Sequence, residues 1–312
     1  MATKATRPVA PTKIRLAGRR FMVLAAVIPT VAFYLIWVGI PMIYTFVMSF
    51  HDWNPLKAQQ QFLGLANYAE ALTKDRLFMT VLRNTLYYTA VTIPLGMALS
   101  LFVAMLVNSL RRGVGLFRTL YFIPVITSMV AVSIMWAWLY QPKFGLINNL
   151  LRVVLVDTLH LSVNPNIPWL TNKQMAMPAI MIMTIWQGLG FTMVLFLAGL
   201  TSIPSVYYEA ARLDGAGRWS LLRHITLPLL QPTMIFVLAT GIIGGMQVFT
   251  PMYVMTQGGP ANVTKTIVFH LYQKAFHVYR FGYASAMAFI LFFIILVFIF
   301  IQFRTQRVRW EY

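Results

Sequence analysis

A polar stretch between two apolar spans holds the residues best placed to work on a partner. It reads Tyr208-Glu209-Ala210-Ala211-Arg212-Leu213-Asp214-Gly215, then Gly217, then Ile225-Thr226-Leu227-Pro228. The chemistry on offer is contact rather than catalysis. Ala211 and Gly215 stand four apart, so they share one face of a short helix and leave it nearly bare, which lets another backbone come close. Ser202 as N-cap and Pro204 with its preset φ suit a helix start, followed by good helix formers over 207–213. Gly215 and Gly217 permit a sharp turn after Asp214, a second short helix is expected over 218–224, and Thr226 can cap the next span with Pro228 in its first turn. The expected order is helix, turn, helix, membrane.

A second group lies within apolar text. Gln187 in Trp186-Gln187-Gly188 and Gln247 in Gly245-Met246-Gln247 are lone amides where an unpartnered polar group is costly. A wet cavity would account for both, with Trp136, Trp186 and Phe249 as aromatic faces for a sugar-like solute. Helix-bridging hydrogen bonds would account for them equally, with Trp136 as an interfacial anchor. No Lys or Arg lies at depth to hold a strongly anionic solute, so a neutral or weakly charged polyol-like one is expected.

The elements that position these residues follow from composition. Of 312 residues, 59% are hydrophobic and 10% charged, and mean hydropathy is +0.71, whereas a soluble domain carries about 25% charged residues. The chain belongs in a bilayer. Six spans reach the roughly 20 apolar residues that cross the hydrocarbon core: 21–46, 86–107, 120–139, 175–197, 229–255 and 283–303. The first is too long, and lacks a small-residue cleavage site, to be a removable signal, so it is expected to stay as an anchor. Pro29, Pro41, Pro94 and Pro124 fall in or beside spans, where kinks are tolerated if neighbouring helices satisfy the freed carbonyls. The fold class is therefore all-α with six transmembrane helices. A basic tail over 1–20 precedes a transmembrane region over 21–303 that includes the loop 201–228, and a second tail covers 304–312.

Of the 25 Lys and Arg, 15 cluster in the N-terminal tail, at Arg111, Arg112 and Arg118, at Arg212, Arg218 and Arg223, and at Arg304, Arg307 and Arg309. The other ten spread over longer loops with Asp52, Glu70, Asp75 and Asp157 among them. The positive-inside rule then puts both termini and the Glu209 loop in the cytoplasm. The +18 net charge sits at span ends rather than on a soluble, aromatic-interleaved face, so nucleic acid is not an expected partner.

Several chemistries are excluded. With no Cys there is neither thiolate metal site nor thiol nucleophile. There is no GxxxxGK[ST] phosphate cradle, and Gly188-Leu189-Gly190 is a glycine pair in a membrane span, so ATP is not expected to bind here. HExxH, GxSxG and clustered intramembrane carboxylates are likewise missing, leaving no catalytic residue and no proton relay to name. His224 has no second ligand spaced for a metal. Asn262-Val263-Thr264 fits a glycosylation sequon that reads as incidental, and Gly258-Gly259-Pro260 reads as a tight extracytoplasmic turn.

The spacing Glu-Ala-Ala, three residues, Gly, nine residues, Ile-x-Leu-Pro resembles the EAA loop of permease subunits of binding-protein-dependent ABC importers. Over about 21–303 the chain is similar to carbohydrate permeases of the maltose and glycerol-3-phosphate type. The supporting residues are Phe62-Leu63-Gly64-Leu65-Ala66-Asn67-Tyr68, Asn84-Thr85, Phe122-Ile123-Pro124-Val125, Trp136 and Trp138 with Gly145 and Asn148, Leu197-Ala198-Gly199-Leu200, and Thr256-Gln257-Gly258-Gly259-Pro260. The resemblance implies a type I ABC importer permease fold in a prokaryotic inner membrane. It implies a second permease as partner, two ATP-binding subunits that carry ATP and Mg, and an extracytoplasmic solute-binding protein. It also assigns ATPase coupling to Glu209, Ala210, Ala211, Asp214, Gly215, Gly217, Ile225, Leu227 and Pro228. The cargo so implied is a sugar, oligosaccharide or polyol-like solute; glycerol-3-phosphate or a related polar solute is the alternative, and a sensor or scaffold that kept the fold is a further one. Two departures matter. Leu222 stands where an aromatic is usual, which softens one ATPase contact, and 141–172 is only a loop where maltose-type members carry a large insertion, so maltose itself is not implied.

Overall fold

The computed structural model describes residues 13–110, 112–161 and 164–306. Lys4, Arg7, Pro8 and Pro11 of the expected basic tail, Arg111, and Arg307 and Arg309 lie outside the described residues.

The architecture is helical, with a single two-residue ribbon in which β1 (His51–Asp52) pairs antiparallel with β2 (Gln61–Phe62). Helix α1 runs through Lys13–Tyr34, Leu35–Gly39 and Ile40–Met48 without leaving helical geometry. Its middle segment widens to a π-turn just before Pro41, where the missing N–H would otherwise break the ladder. Helix α2 (Arg76–Asn108) passes Pro94 unbroken. It packs along α5 (Ala176–Ser202), and these two form the centre of the molecule. Helix α8 (Gln231–Met246), continued after a three-residue break by α9 (Thr250–Met255), and α11 (Phe281–Thr305) complete the bundle.

The third span departs from expectation. Instead of one helix over 120–139 there are two, α3 (Val114–Ile126) and α4 (Met129–Leu139), meeting at 94°. Thr127 and Ser128 between them are extended, at ψ 138° and 130°. The carbonyls of Ile123 and Pro124, which lose their helical partners at this break, are met by Thr127 Oγ1 at 3.0 Å and by Gln187 Nε2 at 3.4 Å. Helix α3 crosses α5 at Gly190, where a Cβ would stand 1.9 Å from the carbonyl oxygen of Tyr121. Glycine is the side chain that permits this crossing.

Three buried clusters hold the bundle. One gathers Ile180, Met183, Met252 and Phe269 near α9, one gathers Phe78, Met246, Tyr283 and Met287 around α11, and one gathers Met193, Phe196, Leu230 and Val237 toward the Glu209 loop. Polar clamps fix the connections. Asn67 donates to the carbonyls of Ser49 and His51, Asn84 to those of Asn262 and Lys265, and Asn148 to those of Pro142 and Ile167. Thr85 Oγ1 accepts from the N–H of Ile267 at the start of α10 (Ile267–Tyr272). Asp75 caps α2 through Oδ1, while its Oδ2 accepts from Tyr283 Oη at 2.8 Å and faces His270 Nε2 at 3.1 Å. Glu70 and Arg280 form a bidentate pair at 2.7 Å beside it.

Candidate functional site: a helical loop and a polar cavity

The loop after α5 begins with α6 (Ser205–Leu213). Pro204, not Ser202, occupies its N-cap; Ser202 Oγ instead donates to the carbonyl of Gly199 and closes the last turn of α5. Gly215 adopts φ +81°, and the N–H of Ala216 reaches back to the carbonyl of Ala211 at 2.9 Å, which ends α6 in the left-handed manner glycine favours. Gly217, at φ −77°, starts α7 (Arg218–Leu221), and a π-turn over Leu222–Thr226 leads into Leu227–Leu229 and α8. Thr226 is not a cap. Its backbone is helical, and its hydroxyl lies 3.2 Å from Tyr208 Oη, tying the two arms of the loop together. His224 Nδ1 contacts the Ser220 carbonyl at 3.1 Å, a local bond within one turn.

Only part of this loop is anchored: Ile203, Leu221 and Leu230 are buried, and Ile225, Leu227 and Pro228 are half-buried. Glu209, Ala210, Asp214, Gly215 and Gly217 are exposed, Ala211 is half-buried, and Cβ atoms added at Gly215 or Gly217 would meet nothing. The same surface carries large apolar side chains, Leu213 at 90% exposure and Trp219 at 72%, with Val206 and Tyr207 beside them. On a short polar helix pair such side chains have no reason to face solvent. Sequence reasoning passed over Leu213 and Trp219; an apolar residue at the last position of a polar helix is the signal that marks Leu213.

Deeper in the bundle, α2, the α3–α4 bend, α5, α8 and α9 line an open cavity of about 630 Å³. Gln187, Gln247 and Phe249 all line it, so three of the five residues picked from the sequence converge. Gln247 follows the last turn of α8 and makes no side-chain hydrogen bond among the described residues, whereas Gln187 also bridges to α3 through Pro124. Phe249 stacks on Tyr253 with ring centres 5.2 Å apart. Trp136 and Trp186 are not among the lining residues. They pack on each other at 5.4 Å in an aromatic group with Tyr140 and Trp169.

The rest of the wall was legible in helical spacing. Thr184, Gln187, Gly188 and Thr192 share a face of α5, Thr240, Gly244 and Gln247 share one of α8, and Tyr88, Thr92 and Gly96 share one of α2. Small and neutral polar groups repeated at three, four and seven positions along otherwise apolar helices are the signature of a wet face. Added Cβ atoms at Gly96, Gly188 and Gly244 would meet nothing within 4 Å, so these glycines widen the space.

Comparison with known proteins matches this geometry to a family. Residues 9–310 fit the family described as binding-protein-dependent transport system inner membrane component. A probable ABC transporter permease protein, YesP, of Bacillus subtilis is 35% identical over 94% of this chain and 91% of its own length. The arabinooligosaccharides transport system permease protein AraP of the same organism is 34% identical over 86% of this chain and 83% of its own. Among solved structures, a bacterial ABC transporter involved in the import of the acidic polysaccharide alginate superposes with a TM-score of 0.80 at 23% identity, covering 95% of this chain and 99% of that one. That likeness carries the fold, and the sequence matches carry the kinship: this chain belongs to the inner-membrane permease components of binding-protein-dependent ABC transport systems.

Proposed function

We propose that this permease carries a sugar or oligosaccharide inward through the cavity of Gln187, Gln247 and Phe249, driven by ATP hydrolysed on two partner subunits that dock on the loop 201–228. In this reading the termini and the loop are cytoplasmic, a second permease completes the path, and a solute-binding protein delivers cargo from the other face. ATP and Mg belong to the partner ATPases. The observation that carries the docking assignment is the exposure of Leu213 and Trp219 in a loop where Gly215 and Gly217 leave open space. Saccharide as cargo is supported by the arabinooligosaccharide permease among the relatives and by a wall of neutral polar groups.

Substitution in the loop tests docking. Gly215→Arg combines bulk with strain, because φ +81° disfavours any other side chain, whereas Gly217→Arg at φ −77° adds bulk alone. Both variants are expected to insert in the membrane, to lose co-purification with the ATPase subunits and to lose uptake. Full uptake in Gly217→Arg would remove the loop from the coupling path.

A further inference from the structure

The polar groups that line the cavity are all neutral. Thr92 Oγ1 donates to the carbonyl of Tyr88 at 2.6 Å, Ser100 Oγ to Leu189 at 3.2 Å, Thr184 Oγ1 to Met181 at 3.0 Å and Thr240 Oγ1 to Phe236 at 2.9 Å. A hydroxyl has one proton and two lone pairs, so each of these four has its proton engaged by the backbone. Gln187 commits one of its N–H groups to the Pro124 carbonyl. No Lys, Arg or His is among the lining residues. The wall therefore offers neutral donors and acceptors and no positive charge.

Saccharide hydroxyls can donate to such a wall. A carboxylate only accepts, and it brings a charge that loses hydration without gaining a cation. We infer that the path selects uncharged, hydroxyl-rich saccharides and excludes acidic ones of the uronate type. This rests on the reading of the cavity as the path. It sets the chain apart from its structural neighbour, the importer of acidic alginate, with which it shares the fold.

The chain has no Cys, and Gly188 and Gly244 face open space, so a thiol can be placed on the wall without a clash. In the assembled importer, Gly188→Cys and Gly244→Cys are reacted separately with hydroxyethyl, sulfonatoethyl and trimethylammonioethyl methanethiosulfonates. Each rate is divided by that reagent's rate with free 2-mercaptoethanol. The anionic reagent is expected to be at least tenfold slower than the neutral one at both positions; equal rates, or a faster anionic reagent, overturn the selectivity. The solute-binding protein is titrated with lactose, maltotriose, arabinotriose and trigalacturonate, and binding of trigalacturonate alone also overturns it. Uptake of the bound sugar after full modification separates the two claims. Unchanged uptake removes the cavity as the path, whereas blocked uptake with equal anionic and neutral rates removes only the charge selectivity.

Discussion

Single residues in this chain do one of two jobs, and the sequence alone does not distinguish them. Asn67, Asn84 and Asn148 each spend an amide on two backbone carbonyls and so hold connections in place. Asn84→Ala would leave the carbonyls of Asn262 and Lys265 without that donor, at a cost of about 1–3 kcal/mol, read as earlier thermal unfolding in detergent. Gln187 and Gln247 stand on the other side. If they serve the path, Gln187→Leu and Gln247→Leu should each leave assembly intact and weaken uptake about tenfold to hundredfold, since an unpaired sugar hydroxyl costs roughly 1–3 kcal/mol. Unchanged uptake in both, or failed assembly, would make them helix bridges. Gly190 was visible as a glycine but not as a crossing, because what makes it necessary is the Tyr121 carbonyl, far away in sequence.

At the scale of elements, apolar runs located the spans and small residues located the loop turn, because both depend on local chemistry. The 94° bend between α3 and α4 was not legible, since Pro94 and Pro124 look alike in sequence while α2 continues unbroken and the third span does not. The difference lies downstream, at Thr127 and Ser128, where the backbone is extended and the freed Pro124 carbonyl finds a partner across the bundle. The start of α2 is a tertiary construction as well. Burial alone would raise the Asp75 carboxyl, but hydrogen bonds from Tyr283, His270 and the Phe78 N–H outweigh it and hold the group at about 2, below its ordinary 3.8. Burial likewise holds His270 below its ordinary 6.5, against the pull of Asp75. Both groups therefore bind protons less readily in the folded chain, so their stability is present at neutral pH and is lost on acidification. Loss should begin as pH falls through about 6.5 for His270 and continue from 3.8 toward about 2 for Asp75. The Asp75 share is about 2 kcal/mol. Unfolding of Asp75→Asn in detergent should show a flatter acid limb than the native chain; an identical limb would place the acid sensitivity elsewhere.

For the whole molecule, orientation rests on the arrangement of basic residues, which sequence records directly and a lone bundle does not. Since no native Cys needs removal, Ser220→Cys should react with an impermeant maleimide only after the membrane is opened, and Ala261→Cys should react from outside. The reverse pattern would invert the molecule and take the coupling assignment with it. One feature of the bundle reaches further. The most apolar eighteen-residue stretch of the first span, within Val23–Met48, has none of its residues buried against the rest of the chain. A second permease packed on this helix, as proposed above, would cover a face that the chain itself leaves bare. Pulse-chase should then find the chain short-lived when produced alone and long-lived when the second permease is made beside it. Equal lifetimes would mean that lipid alone satisfies this helix.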